Sequence, residues 1–160
     1  MAIFHEITPD NRRTVNEFLK EHWYATTMVL RGDILDMTKA EGFFLEAEGA
    51  ILALLTYRFD GTIFEILSLD SLRENEGIGT QMVDEAVRRA KTLGAKKLVV
   101  LTSNDNMRAM AFYQKRGFDF VKLYRNGLDA ARRLKPDIPT VGRDNIPLRH
   151  ELEFEMILEG

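Results

Sequence analysis

The chain has 160 residues, 45% of them hydrophobic and 29% charged, which suits one domain with a real core and is too short for two comfortable ones. Its formal net charge of −3 argues against a general nucleic-acid partner, which calls for a basic excess, and favours cationic small molecules. The absence of cysteine excludes disulfides, thiolate metal sites and a cysteine nucleophile, and no metal site is expected. The opening "MAIFHEITPDNRRTV" is interrupted by charges and lacks the apolar centre of a signal peptide, and no apolar run reaches the span of a bilayer. A soluble cytoplasmic protein without a membrane partner is therefore expected.

"IFHEIT" (3–8) alternates apolar and polar residues and predicts a strand. "PDNRRTVNEFLKEHW" (9–23) predicts a helix, with Pro9 in its first turn and Val15, Phe18, Leu19 and Trp23 on one face. The stretch 24–42 is weakly patterned and predicts a loop with a short helix. "FFLEAEGAILALLTYRF" predicts two strands joined at Glu48-Gly49, and Asp60-Gly61 turns the chain into a fourth strand, "TIFEILSL" (62–69). The period then becomes helical at Ile78, Met82, Val83, Ala86, Val87, Ala90 and Leu93, ending at Gly94. "KKLVVLTS" (96–103) has the unbroken apolar centre of a strand buried on both faces. A helix from about 105 to 115 and strands at 118–124 and 150–158 complete the order β-α-β-β-β-α-β-α-β-β. This predicts a mixed α/β fold, α+β-like, with about seven strands and helices on both faces. The whole chain, 1–160, reads as one domain, with an irregular excursion at 125–149 that holds three of the four prolines.

The sequence "ENEGIGTQM" (74–82) joins the fourth strand to its helix. A strand, a glycine turn and a helix N-terminus together offer unpartnered backbone N–H groups, a partly positive helix end and close main-chain approach, which suits a phosphate. The same glycines serve equally as a sharp turn. A P-loop is excluded because no lysine follows Gly79, and a dinucleotide fingerprint because Met82 stands where its third glycine belongs.

Downstream lies "NMRAMAFYQKRGF" (106–118). With Asn106, Ala109, Phe112, Tyr113, Gly117 and Phe118 it resembles the Asn-x-x-Ala-x-x-Phe-Tyr-x-x-x-Gly-Phe motif of the GNAT superfamily of acyl-CoA N-acyltransferases. Gly77 and Gly79 are similar to that family's Gln/Arg-x-x-Gly-x-Gly/Ala turn, but its Gln/Arg slot holds Glu74. The resemblance is specific from about 63 to 118, architectural before that and weak over 125–149. Arg73 or Lys115 would have to offset the Glu74 carboxylate near a diphosphate, unless that side chain points to solvent.

The resemblance implies acetyl transfer from acetyl-CoA, as co-substrate, directly to a primary amine of a small molecule or peptide. It implies a fourth and fifth strand that splay apart, with the pantetheine lying against the fourth. Leu67 and Leu69 would be its main-chain partners, and an N–H near Leu69 would polarise the acetyl carbonyl. Glu74, Asn75, Glu76, Gly77, Ile78, Gly79 and Thr80 would hold the diphosphate. Asn106 would contact the cofactor, cap its helix, or do both. Tyr113 would protonate the departing thiolate, or else serve as a core tyrosine.

Glu65 is the only ionisable residue inside the fourth strand, and either serves as the base, directly or through water, or is paired with a basic neighbour or faces solvent. Asp70, at the end of that strand, is a second candidate base, and Asp70, Trp23 and Tyr24 are candidate substrate residues, with His22 beside them. Glu151, Glu153 and Glu155 share one face of the last strand, either a solvated face or an acidic wall for a cationic amine. Arg132, Arg133 and Lys135 either reach the CoA phosphates or form a plain basic loop. A non-catalytic acyl-CoA sensor or interaction domain is the alternative reading, and a homodimer through a terminal strand is compatible with the pattern.

Overall fold

A computed structural model describes residues 2–23, 25–73 and 76–158. In chain order the elements are β1 (Ile3–Glu6), α1 (Arg12–Trp23), β2 (Thr27–Leu30), β3 (Asp33–Asp36) and a 3-10 turn (Met37–Lys39). Then follow β4 (Glu41–Ala47), β5 (Ala50–Phe59), β6 (Ile63–Ser71), α2 (Ile78–Thr92), β7 (Lys97–Ser103) and α3 (Met107–Lys115). The chain ends with β8 (Asp119–Tyr124), α4 (Gly127–Leu134), a second 3-10 turn (Arg143–Asn145) and β9 (Glu151–Ile157). Seven strands form one mixed sheet in the order β1-β4-β5-β6-β7-β9-β8. Only the β6–β7 pair is parallel.

Two apolar layers cover the sheet. On one face the helical stripe of α1, Val15, Phe18 and Leu19, packs on Phe44, Ile51 and Leu54. On the other, Met82, Val83, Ala86 and Ala90 of α2 and Met110 and Tyr113 of α3 pack on Leu55, Tyr57, Phe64, Ile66 and Val100. These repeats are the ones visible in the sequence, because each helix buries a single side.

β6 changes face partway along. Its register with β5 slips between Thr56 and Tyr57, which oppose Ser68 and Ile66 and leave Leu67 as the extra residue. Phe64 and Ile66 join the α2 layer, Leu67 joins the α1 layer, and Leu69 returns to the α2 layer. The buried hydroxyls of Thr56 and Ser68 share a 2.6 Å hydrogen bond beside the bulge.

Two segments depart from the sequence-based expectation. The stretch read as a loop with a short helix holds a β-hairpin, β2–β3, before its 3-10 turn. Its strands have only four residues each, too few for a clear alternation, and its Arg31-Gly32 turn lacks the usual Asn-Gly signal. The excursion 125–149 is also structured: α4 is one eight-residue helix within it. Arg132 ties it together by donating to the carbonyls of Ile138, Pro139 and Leu148, while its Nη1 reaches Asp129 at 2.7 Å. These ties are non-local side-chain bonds and leave no periodic trace. No helix among the described residues is long and apolar enough to cross a membrane.

Candidate active site

β6 and β7 are paired only from Ile63 with Lys97 to Ile66 with Val100, although both strands continue beyond. The expected splay is therefore present and opens where the bulge begins. Beyond Ile66, the β7-facing side of β6, including Leu67 and Leu69, has no strand partner among the described residues, so its main-chain polar groups are open to a ligand.

The glycine turn stands at the α2 end of this split. Gly77 precedes α2 with φ 77°, a left-handed conformation that residues with a Cβ rarely adopt. The first turn of α2 begins at Ile78, Gly79 and Thr80, and no side chain caps it. A Cβ on Gly79 would lie 3.3 Å from the Phe112 ring, so this residue packs α2 onto α3. Glu76 and Gly77 are exposed. Glu74 and Asn75 lie outside the described residues.

Arg73 and Lys115 are both exposed, and a third cation, Arg116, packs against this turn. Its Nη1 donates to the Thr80 hydroxyl at 2.6 Å, its guanidinium stands 5.8 Å from the Phe112 ring centre, and its Nε is buried without a partner. No carboxylate among the described residues pairs with it. A cation held at the positive end of a helix is electrostatically unfavourable until an anion joins it. The sequence held only a weak sign of this, a basic residue one place before Gly117.

Asn106 is the N-cap of α3, its Oδ1 accepting from the Ala109 N–H at 3.1 Å. Two helical turns on, Tyr113 is buried among Phe112, Phe118 and Phe154. Its hydroxyl makes no hydrogen bond within the described chain. Burial pushes its phenol well above the usual value, and the charge of Asp70 pushes it further.

Asp70 reaches the split from the opposite side. It stands across from Leu54 of the α1 layer, and Trp23 Nε1 donates to its Oδ2 at 3.0 Å. Burial raises its carboxyl above the ordinary range, against the Trp23 hydrogen bond and the nearby charge of His22. His22 packs on Phe18 with ring centres 4.1 Å apart. Tyr24 lies outside the described residues.

Glu65, expected as a base or as an ion-pair partner, is ion-paired. It is 5% exposed, and both oxygens are taken: Arg31 Nη1 lies 2.6 Å from Oε2 and Arg58 Nη2 2.9 Å from Oε1. Arg31 also donates to Glu153 at 2.6 Å and to the Tyr124 hydroxyl at 3.2 Å, and that hydroxyl donates to Glu153 at 2.8 Å. Lys97 pairs with Glu155 at 3.0 Å. Glu153 and Glu155 are thus ion-paired, neither a solvated face nor a free acidic wall, while burial raises the carboxyl of Glu151 against the opposing charge of Arg31. This ionic floor surrounds a cleft of about 500 Å³. Of the basic residues in the excursion, Lys135 donates to the Thr27 carbonyl at 2.8 Å and Arg132 acts as the tie already described, so neither reaches the glycine turn. Among the described residues no cluster of His, Cys, Asp or Glu could hold a metal ion.

The family model for the acetyltransferase (GNAT) family matches residues 2–118. Two Bacillus subtilis (strain 168) proteins described as uncharacterized are similar along most of their length. YdhI is 37% identical over 96% of this chain and 98% of its own. YxbD is 38% identical over 86% of this chain and 87% of its own. Among solved structures, a GNAT family acetyltransferase from Elizabethkingia anophelis with acetyl-CoA bound has the same fold, with a TM-score of 0.70 at 21% identity and 98% coverage of both chains.

Proposed function

This chain belongs to the GNAT acetyltransferase family, and from that premise we propose that it transfers an acetyl group from acetyl-CoA to a primary amine of a small molecule or peptide. In this reading Asp70 receives the amine's proton and Tyr113 protonates the leaving thiolate. The observation that carries it is the split between β6 and β7, which Tyr113 and Asp70 approach from opposite faces of the sheet.

The N–H groups of Ile78, Gly79 and Thr80, which no side chain among the described residues caps, would hold a diphosphate, and Arg116, which meets no carboxylate among the described residues, supplies the countercharge. The pantetheine arm then runs along the open side of β6 as an added strand, bonded to Leu67 and Leu69. An N–H near Leu69 polarises the acetyl carbonyl. Because α2 and α3 occupy one face, the amine enters from the other, past Trp23.

Asp70 takes a proton from the arriving ammonium, and the neutral nitrogen attacks the carbonyl carbon. As the carbon–sulfur bond breaks, Tyr113 gives its proton to sulfur; the nitrogen keeps one proton as the amide N–H and passes its surplus proton back to the phenolate, while Asp70 releases its proton to solvent. A buried carboxylate with a raised pKa is a stronger base than an exposed one, and a phenol that resists ionisation stays protonated until a thiolate forms beside it. Glu65, with both oxygens bonded to arginines, is poorly placed to accept a proton.

The test is to incubate the protein with acetyl-CoA and a panel of primary amines, short peptides included, and to look for a mass gain of one acetyl group. Product with some amines supports the reading. Stabilisation by CoA without product from any amine would favour the sensor alternative.

A further inference from the structure

The tip of the β2–β3 hairpin is formed by Arg31 and Gly32, with φ of 49° and 86°. Two successive positive φ values are the mark of a tight hairpin turn whose first position favours Asn, Asp or Gly. Arginine is a poor choice there for the backbone, so its side chain is the reason it is present. That side chain uses its whole planar fork. Nη1 donates to Glu65 of β6, Nη2 to Glu153 of β9 and Nε to Tyr124 of β8, at 2.6, 2.6 and 3.2 Å. The Glu65 and Glu153 side chains are only 7% and 13% exposed.

The rest of the hairpin runs from this latch towards the open end of the split. Met28 packs on the α1 layer with Leu67, the bulged residue where β6 leaves β7. The Thr27 carbonyl accepts from Lys135, just beyond α4. Just before β2 lies Trp23, bonded to Asp70. The hairpin therefore walls the face of the split where Asp70 lies, and among the described residues its tip is fastened to the sheet by one side chain.

On the amine-acetylation reading above, we propose that Arg31 is a positioning residue for the acceptor: by bridging Glu65 and Glu153 it holds the β2–β3 hairpin as the wall against which the amine is placed beside Asp70. Acetyl-CoA, lying against β6 and α2, does not touch this wall. The effect falls on the amine alone.

The variant Arg31→Asn separates these roles, because asparagine suits the turn but cannot bridge the two glutamates. It is expected to raise the KM for the amine about tenfold or more, leave the KM for acetyl-CoA within about twofold, and speed amide hydrogen exchange over residues 25–36. Arg31→Lys, which keeps the charge but can reach only part of the network, falls between. An unchanged amine KM in Arg31→Asn overturns the proposal, as does an equal rise in both KM values. The exchange measurement needs no activity: if the wild type acetylates no amine, the acetylation reading fails on its own, and unchanged exchange in Arg31→Asn still refutes the latch.

Discussion

Asp70 and Tyr113 meet electrostatically across the split between β6 and β7: one belongs to the α1 face, the other to the α2 and α3 face, and the carboxylate's charge adds to burial in raising the phenol's pKa. This pairing sets what substitution of either residue does.

Asp70→Asn is expected to lower kcat/KM for the amine by about 10² to 10⁴, the usual range for a lost proton-transfer group. Its stability effect has the opposite sign. Burial raises the Asp70 carboxyl, so its contribution to stability is full below the unfolded-chain value and is lost as pH rises through the folded value. At neutral pH the buried charge weighs against folding, and the amide removes it. Thermal melts at pH 7 should show an unchanged or higher midpoint, with the advantage vanishing in acid. The acid limb of the pH–rate profile should also disappear.

Tyr113→Phe keeps the ring that packs on Phe118 and Phe154 and removes only the proton donor. Turnover is expected to fall by about 10²-fold with CoA affinity preserved. Titration calorimetry with CoA beside steady-state kinetics checks both halves, and unchanged turnover would remove Tyr113 from its role.

Arg116→Met deletes a cation that lacks an anionic partner among the described residues. Loss of a charge-assisted hydrogen bond, about 1.5–3 kcal/mol, weakens CoA binding by roughly tenfold to a hundredfold. The salt dependence of CoA binding should flatten, and the free protein should melt no lower than wild type. A variant that binds CoA normally would place the countercharge elsewhere.

Glu65→Ala separates the ionic floor from the chemistry. Arg31 and Arg58 lose a buried partner, which costs about 2–3 kcal/mol, below the full figure for a buried pair because Arg58 is half exposed. Denaturant unfolding measures this loss. The acid limb of the pH–rate profile remains, since Asp70 is intact; its disappearance would return the base to Glu65.

Much of this was legible in the sequence, for a physical reason. Gly77, Gly79 and Asn106 to Phe118 act through contiguous stretches of chain, where turn geometry, capping and helical spacing appear in local order. The choice between Glu65 and Asp70 was not legible. Both are carboxylates of β6, and the bulge at Leu67 breaks the simple alternation that would assign their faces. The ion pairs that occupy Glu65 come from Arg58 across one hairpin and from Arg31, 34 positions away on a turn with a weak signal. Arg116 was hidden likewise, because its lack of a carboxylate partner among the described residues is a property of three-dimensional neighbours.

The most direct measurement is CoA release with a thiol reagent, for which the cysteine-free chain gives no background. The prediction is release from acetyl-CoA that depends on added primary amine and falls sharply in both Asp70→Asn and Tyr113→Phe. Amine-dependent release that survives undiminished in both variants would contradict the account.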